Sequence, residues 1–98
     1  MTMEMKKNAA ETVIRIVGRL DTITAPNLDK IITEELGDTK HLVLDMKGLE
    51  YISSAGLRVL LGAQKKMQKI GSMKVTGVCE EVMDVLEMTG FADILVIE

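Results

Sequence analysis

Hydrophobic residues in this chain alternate between two spacings, and that alternation most constrains what it can fold into. Thr12 to Leu20 is rich in β-branched Val13, Ile14, Ile16 and Val17, the composition of a strand. Leu28, Ile31, Ile32 and Leu36 then repeat as one face of a helix. Thr24 suits its N-cap, Pro26 its first turn, where a missing N–H costs nothing, and Gly37 its close. His41 to Met46 (H-L-V-L-D-M) is a nearly continuous apolar run, which predicts an interior strand covered on both faces. A second helix is expected from Ser53 or Ser54 to Gly71, buried through Leu57, Leu60, Leu61, Met67 and Ile70. Met73 to Thr76 reads as a short strand. Glu80 and Glu81 then open a third helix, at the end where its dipole favours negative charge. Val82, Val85 and Leu86 are its apolar face, Gly90 its stop, and Ile94 to Ile97 a last strand. At the start, Met1, Met3 and Met5 alternate with Thr2, Glu4 and Lys6, the period of a half-buried strand. A turn over Asn8 to Glu11 joins it to the next strand as an antiparallel hairpin.

The order β-β-α-β-α-β-α-β implies an α/β fold: a mixed, mainly parallel sheet with an N-terminal antiparallel hairpin, packed by three or four helices through right-handed crossovers. No linker, repeat or charge block divides the chain, so residues 1–98 are expected to form a single domain. In such sheets function gathers beyond the carboxyl ends of the strands. Here that means the loops at 21–25, 47–54 and 77–79. Whether helices cover one sheet face or both stays open; Arg15, sharing a strand face with Val13 and Val17, hints that part of a face is wet.

Charge and composition remove several functions. The net charge is −3, and Tyr51 and Phe91 are the only aromatics, so neither a basic footprint nor a stacking platform for nucleic acid exists. No apolar stretch approaches the ~18 residues that a bilayer demands, so no membrane insertion is expected. Residues 1–8 carry Glu4 among alternating methionines and lack the apolar core of a signal peptide. The single cysteine, Cys79, allows no internal disulfide, and a cytoplasmic location is the economical expectation.

Catalytic constellations are equally scarce. Ser54-Ala55-Gly56 stands at a strand-to-helix turn, as the nucleophile of a G-x-S-x-G elbow does, but Ile52 occupies the first glycine position. His41, the only histidine, begins the strand and lies ~16 Å before the loop, beyond the reach of a general base. His41 and Cys79, far apart, form no zinc site, and no phosphate-cradling glycine loop is present. Neither an enzyme, a metal nor a cofactor is expected. Cys79 is either a small cap or core residue, or a thiol mildly activated at a helix start. Lys65, Lys66, Lys69 and Lys74 are either a solvated face or a basic patch. Ser53 or Ser54 as an N-cap is the plain structural role for the serine pair.

The run Asp45 to Leu61, D-M-K-G-L-E-Y-I-S-S-A-G-L-R-V-L-L, resembles the signature of the STAS (sulfate transporter and anti-sigma antagonist) family, and in particular its free-standing bacterial anti-anti-sigma factors. Upstream, G-R-L-D-T-I-T-A-P (Gly18 to Pro26) is similar to their G-x-L-D element. Downstream, V-L-E-M-T-G-F (Val85 to Phe91) is similar to their last helix and its glycine stop. The family loop typically reads Asp-Ser-Ser/Ala-Gly-Leu, with its first serine phosphorylated. That resemblance assigns phosphorylation to Ser54, with Ser53 the runner-up. Two departures stand out: Ser53 replaces the family's aspartate, and Ala55 stands where serine is frequent.

The resemblance implies a binding module that captures an anti-sigma factor and so frees a sigma factor. The anti-sigma factor would be a serine kinase whose modification of the antagonist ends the capture, and a PP2C-type phosphatase would reset it. The implied partner-binding residues are Asp21, Thr22, Ser53, Ser54, Ala55, Gly56, Leu57 and Arg58, in a chain that is a monomer when free. Asp21 is expected either to orient the Ser54 hydroxyl or add repulsion after its modification, or to cap a local turn. A regulatory subunit of a lipid or anion transport complex is the alternative that the same resemblance allows.

Overall fold

A computed structural model describes residues 1–98. The elements run β1 (Thr2–Asn8), β2 (Glu11–Leu20), α1 (Ala25–Glu34), β3 (His41–Ile52), α2 (Ser54–Ile70), β4 (Ser72–Thr76) and α3 (Glu80–Met88), with a 3₁₀ turn at Phe91–Asp93. The sheet order is β1-β2-β3-β4. β1 and β2 are an antiparallel hairpin, whereas β2, β3 and β4 are mutually parallel. The hairpin, the alternation of strand and helix, and the mixed sheet are as the residue pattern predicts. Three α-helices form, without a fourth.

Alternation along the strands decides where the core lies. Ile14, Ile16 and Leu20 of β2, Leu42, Leu44 and Met46 of β3, and Met73 and Val75 of β4 point to one side. There they join Leu28 and Ile32 of α1, Leu57, Leu60 and Met67 of α2, and Val82 and Leu86 of α3 in one aliphatic cluster. Each such side chain, fully buried, contributes roughly 1.5–3 kcal/mol of transfer free energy. The opposite side carries Val13, Arg15, Val43, Asp45 and Lys74, none of which joins that cluster. The expectation that His41 to Met46 is covered on both faces is therefore corrected: all three helices share one face. Val43 is buried on the uncovered side without joining the core.

Three further expectations are corrected. β3 continues to Ile52, so most of the segment 47–54 is strand instead of loop. Register shifts against β2, between Arg15 and Val17 and between Gly18 and Arg19, insert extra β3 residues. These bulges turn Leu49 and Ile52 inward, at spacings of three where plain alternation gives two. Ile94 to Ile97 is no full strand but a single bridge, Val75 to Ile97, held by Val75 N–H to Val96 O at 2.8 Å and Glu98 N–H to Val75 O at 2.9 Å. In α2, Leu61 is half-buried and Ile70 exposed; Ala63 and Gln64 take the buried positions instead. The buried positions Leu57, Leu60, Ala63, Gln64 and Met67 recur at helical spacing, and Leu61 and Ile70 fall to the side of that stripe.

Candidate functional site

The carboxyl ends of β2 and β3 adjoin, with Leu20 beside Ile52 and the Ser53 N–H donating to the Leu20 carbonyl at 2.9 Å. From that junction the chain leaves in two directions, through the Asp21 turn into α1 and through Ser53 into α2. Everything in the candidate site hangs on this pair of exits.

On the α2 side, Ser53 is the N-cap, in an extended conformation, and its hydroxyl accepts from the Gly56 N–H at 3.4 Å. Ser54, the first helical residue, is exposed. The two serines thus divide the roles left open between them: Ser53 caps, and the Ser54 hydroxyl faces solvent. Gly56 permits this helix start, because a Cβ there would stand 2.8 Å from Leu20 Cγ and 2.9 Å from Ile52 Cγ1. Gly56 is buried, and Leu57 is only 6% exposed and packs in the core. Helical periodicity turns the side-chain positions of both toward the sheet, so of the expected partner-binding residues these two also support the fold. Ala55 is half-buried and Arg58 exposed, on the outer side of the same turns.

On the α1 side, Asp21 caps its own turn. Its Oδ1 accepts from the N–H groups of Ile23 and Thr24, each at 3.0 Å, and from the Thr24 hydroxyl at 3.1 Å. The Thr24 backbone N–H, foremost, holds the carboxyl below the usual carboxylate range against the opposing pull of burial; the Thr24 hydroxyl, the Ile23 N–H and nearby Arg19 add to it. Asp21 thus caps a local turn through Oδ1. Thr24 does precede α1, but its hydroxyl makes no cap hydrogen bond. It accepts from the Asp21 N–H at 2.9 Å and shares its one proton between the Arg19 carbonyl at 2.8 Å and Asp21 Oδ1 at 3.1 Å, so Thr24 is the N-cap residue by position, as expected, while its side chain serves the turn.

Between the two exits lies a shallow depression of about 340 Å³, lined by Thr22, Ala25, Pro26, Asp29, Ala55, Arg58 and Val59. Thr22, Ala55 and Arg58 are therefore brought together, next to Ser54. Beside it stands Ile23, 85% exposed despite being apolar. At the same end of the sheet, the Arg19 guanidinium stacks over the Tyr51 ring at 4.1 Å.

The other singled-out residues lie elsewhere. His41 starts β3, with its Nδ1 2.8 Å from the Ser72 hydroxyl. Cys79 is the N-cap residue of α3 and half-buried, its thiol donating to the Leu49 carbonyl at 3.3 Å. Lys66 donates to the Ile32 carbonyl at 2.6 Å and Lys74 pairs with Glu98 at 3.4 Å, while Lys65 and Lys69 are exposed; the four do not act as one patch. No helix is long and apolar enough to cross a membrane.

A model of the STAS domain matches residues 2–98. The chain belongs to the STAS family. This STAS domain is 32% identical over 98 residues to the anti-sigma F factor antagonist of Paenibacillus polymyxa, which covers 97% of this chain and 84% of that one. It is 28% identical over 96 residues to the anti-sigma-B factor antagonist of Bacillus subtilis strain 168, across 97% and 88% of the two chains. The crystal structure of an anti-sigma factor antagonist from Mycobacterium paratuberculosis superposes with a TM-score of 0.87 over 98% of this chain and 83% of that one. At 24% identity that likeness shows the shared fold.

Ile23, Pro26, Asp29 and Val59 are the surface residues of the STAS domain's candidate site that residue-type reasoning missed. A signal for Ile23 was present: it is the lone apolar residue in T-I-T, inside a turn that ends a strand. The other three become visible only when α1 and α2 are set side by side.

Proposed function

We propose that this STAS domain captures an anti-sigma factor, thereby freeing a sigma factor, and that phosphorylation of Ser54 ends the capture. The observation that carries this reading is the division of the serine pair. Because Ser53 caps α2, the Ser54 hydroxyl is free of structural duty and exposed beside the depression between α1 and α2. The names of the curated relatives, antagonists of anti-sigma F and anti-sigma-B factors, support the choice of partner.

In this reading the docking surface comprises Thr22, Ile23, Ser53, Ser54, Ala55 and Arg58, with the Asp21 turn as its frame. The domain acts in the cytoplasm, is a monomer when free, and is not itself an enzyme. The anti-sigma factor is the serine kinase: Ser54 Oγ takes the terminal phosphoryl group of ATP, its proton passes to a base on the kinase, and ADP departs. A PP2C-type phosphatase returns the hydroxyl by hydrolysis. Phosphate adds about −1.5 to −2 charges at the positive end of α2, where the helix dipole accommodates it, so the fold persists. The penalty falls on the complex. A like charge ~4 Å away costs up to ~4 kcal/mol at an effective dielectric near 20, a loss of ~10²-fold or more in affinity.

The test has two arms. Incubation with the cognate anti-sigma factor and ATP is expected to place one phosphate on Ser54, read by peptide mass spectrometry. Ser54→Asp is expected to weaken capture of the anti-sigma factor while leaving the circular dichroism melt nearly unchanged. Phosphate on neither serine, or an aspartate variant that binds as tightly as the parent, overturns the reading.

A further inference from the structure

Ser54 and Arg58 are the first and fifth residues of α2 and are both exposed, so they stand one turn apart on the same outer face. At that spacing their Cβ atoms are about 5–6 Å apart, and an anion placed N-terminal to a cation is the favourable order. Helical side chains lean toward the helix's N-terminus, which carries the Arg58 stem back over Ser54. Arg58 is also unclaimed. The chain's one salt bridge joins Lys74 and Glu98, so even Asp29, which lines the same depression, forms none with Arg58. The first turn of α2 holds no acidic residue, in contrast to α3 with Glu80 and Glu81.

From this juxtaposition, and resting on the Ser54 reading above, we propose that Arg58 is the internal partner of a phosphate on Ser54. In the unmodified domain the Arg58 guanidinium is the one free cation bordering the depression, available to a carboxylate of the docking protein. On modification it turns onto the phosphate of its own helix. The surface loses its cation in the same event that gives it a dianion, and the two changes weaken docking together. Arg58 acts as a positioning residue for the phosphate. Asp29 lines the depression with Arg58, and Asp21 follows Leu20, whose carbonyl the Ser53 N–H binds; these carboxylates act to raise the second phosphate pKa, whereas Arg58 and the N-terminus of α2 act to lower it.

The test needs neither kinase nor anti-sigma factor. Phosphoserine is genetically encoded at position 54 of the full chain, and the phosphate is titrated by ³¹P NMR in the parent, Arg58→Lys and Arg58→Ala. The second phosphate pKa is expected to be lower in the parent than in Arg58→Ala by about 0.3 unit, from the usual strength of such helical pairs, with Arg58→Lys between them. The rise in melting temperature on phosphorylation is likewise expected to be larger in the parent than in Arg58→Ala. Equal pKa values in all three proteins, or equal rises in melting temperature, overturn the proposal. Failure of the kinase to modify Ser54, or of the domain to capture an anti-sigma factor, sinks the functional reading but leaves this titration unaffected, so the two failures are distinguishable.

Discussion

The Ser53 N–H donates to the Leu20 carbonyl at 2.9 Å, and this bond fastens together the ends of two parallel strands where both exits of the candidate site begin. Ser54 is one residue beyond it on α2, and Asp21 one residue beyond it toward α1. Both exits therefore start from one hydrogen-bonded pair of strand ends. A surface assembled on two sheet ends is more firmly placed than one on free loops, which suits a docking site whose partner must sense one added group.

The Asp21 turn should report its contribution through pH. The Asp21 carboxyl is held below its ordinary value of 3.8, so its charge stabilises the fold above that value and ceases to as pH falls through the lower, folded-state pKa. Asp21→Asn keeps an acceptor but removes the titration. The melting temperature of the parent is expected to exceed that of Asp21→Asn by a constant margin from pH 5 to 7. The margin should shrink below about pH 4. An equal margin at pH 3 and pH 7 would show that the charge contributes nothing.

One substitution made twice in α2 should have opposite signs. At Gly56 a new Cβ meets Leu20 and Ile52 below 3.0 Å, so Gly56→Ala forces the helix start off the sheet and should cost about 1–3 kcal/mol. At Gly62 nothing lies within 4 Å, and the residue is exposed in the helix interior, so Gly62→Ala should stabilise by about 0.5–1 kcal/mol. Urea unfolding of the two variants checks both. Destabilisation by Gly62→Ala would mean that the exposed face of α2 is covered by something in the folded protein.

The serine pair permits a comparable separation. Ser53→Ala removes the α2 cap and is expected to cost about 0.5–1 kcal/mol, the low end for a cap because the bond is long at 3.4 Å. It should leave phosphorylation intact. Ser54→Ala should unfold within about 0.5 kcal/mol of the parent, as exposed substitutions do, yet accept no phosphate. Denaturation curves and intact mass after kinase treatment read the two effects side by side; reversal of the assignments would exchange the roles of the serines.

These roles mark the limit of what local pattern conveys. The hairpin, the helices and the serine's place between β3 and α2 follow from spacing and from turn residues, because each is decided within a few positions of the chain. The coverage of Val43 is different. An apolar side chain at a strand's centre reads alike whether or not a helix shields it, and Val43 is buried without joining the cluster that the helices cover. The bulges opposite Val17 and Arg19 depend on a partner strand some thirty residues away, so Leu49 and Ile52 fall out of any two-residue period and the segment resembles a loop. Leu57 is buried, as its place on the apolar face of α2 predicts: it borders the conspicuous serines in sequence, but helical rotation sends it beneath them.

Ile23 offers the sharpest mutational test of the docking surface. An apolar side chain 85% exposed contributes nothing to the core, and its backbone is held by the Asp21 carboxylate at 3.0 Å, so it projects from a constrained turn. Burying it against a partner is worth roughly 1.5–3 kcal/mol, a loss of about 10- to 100-fold in affinity on truncation. Ile23→Ser should therefore leave the melting temperature within a degree or two of the parent's, because no packed contact is removed. Calorimetric titration with the anti-sigma factor should show the weakened binding and a less negative heat-capacity change, since less apolar surface is buried. Met88, 88% exposed at the end of α3, provides the control: Met88→Ser removes a comparable side chain far along the chain from both exits and should change neither stability nor affinity. If both variants bind as the parent does, the anti-sigma factor does not cover the Asp21 turn, and the docking surface must lie along α2 alone.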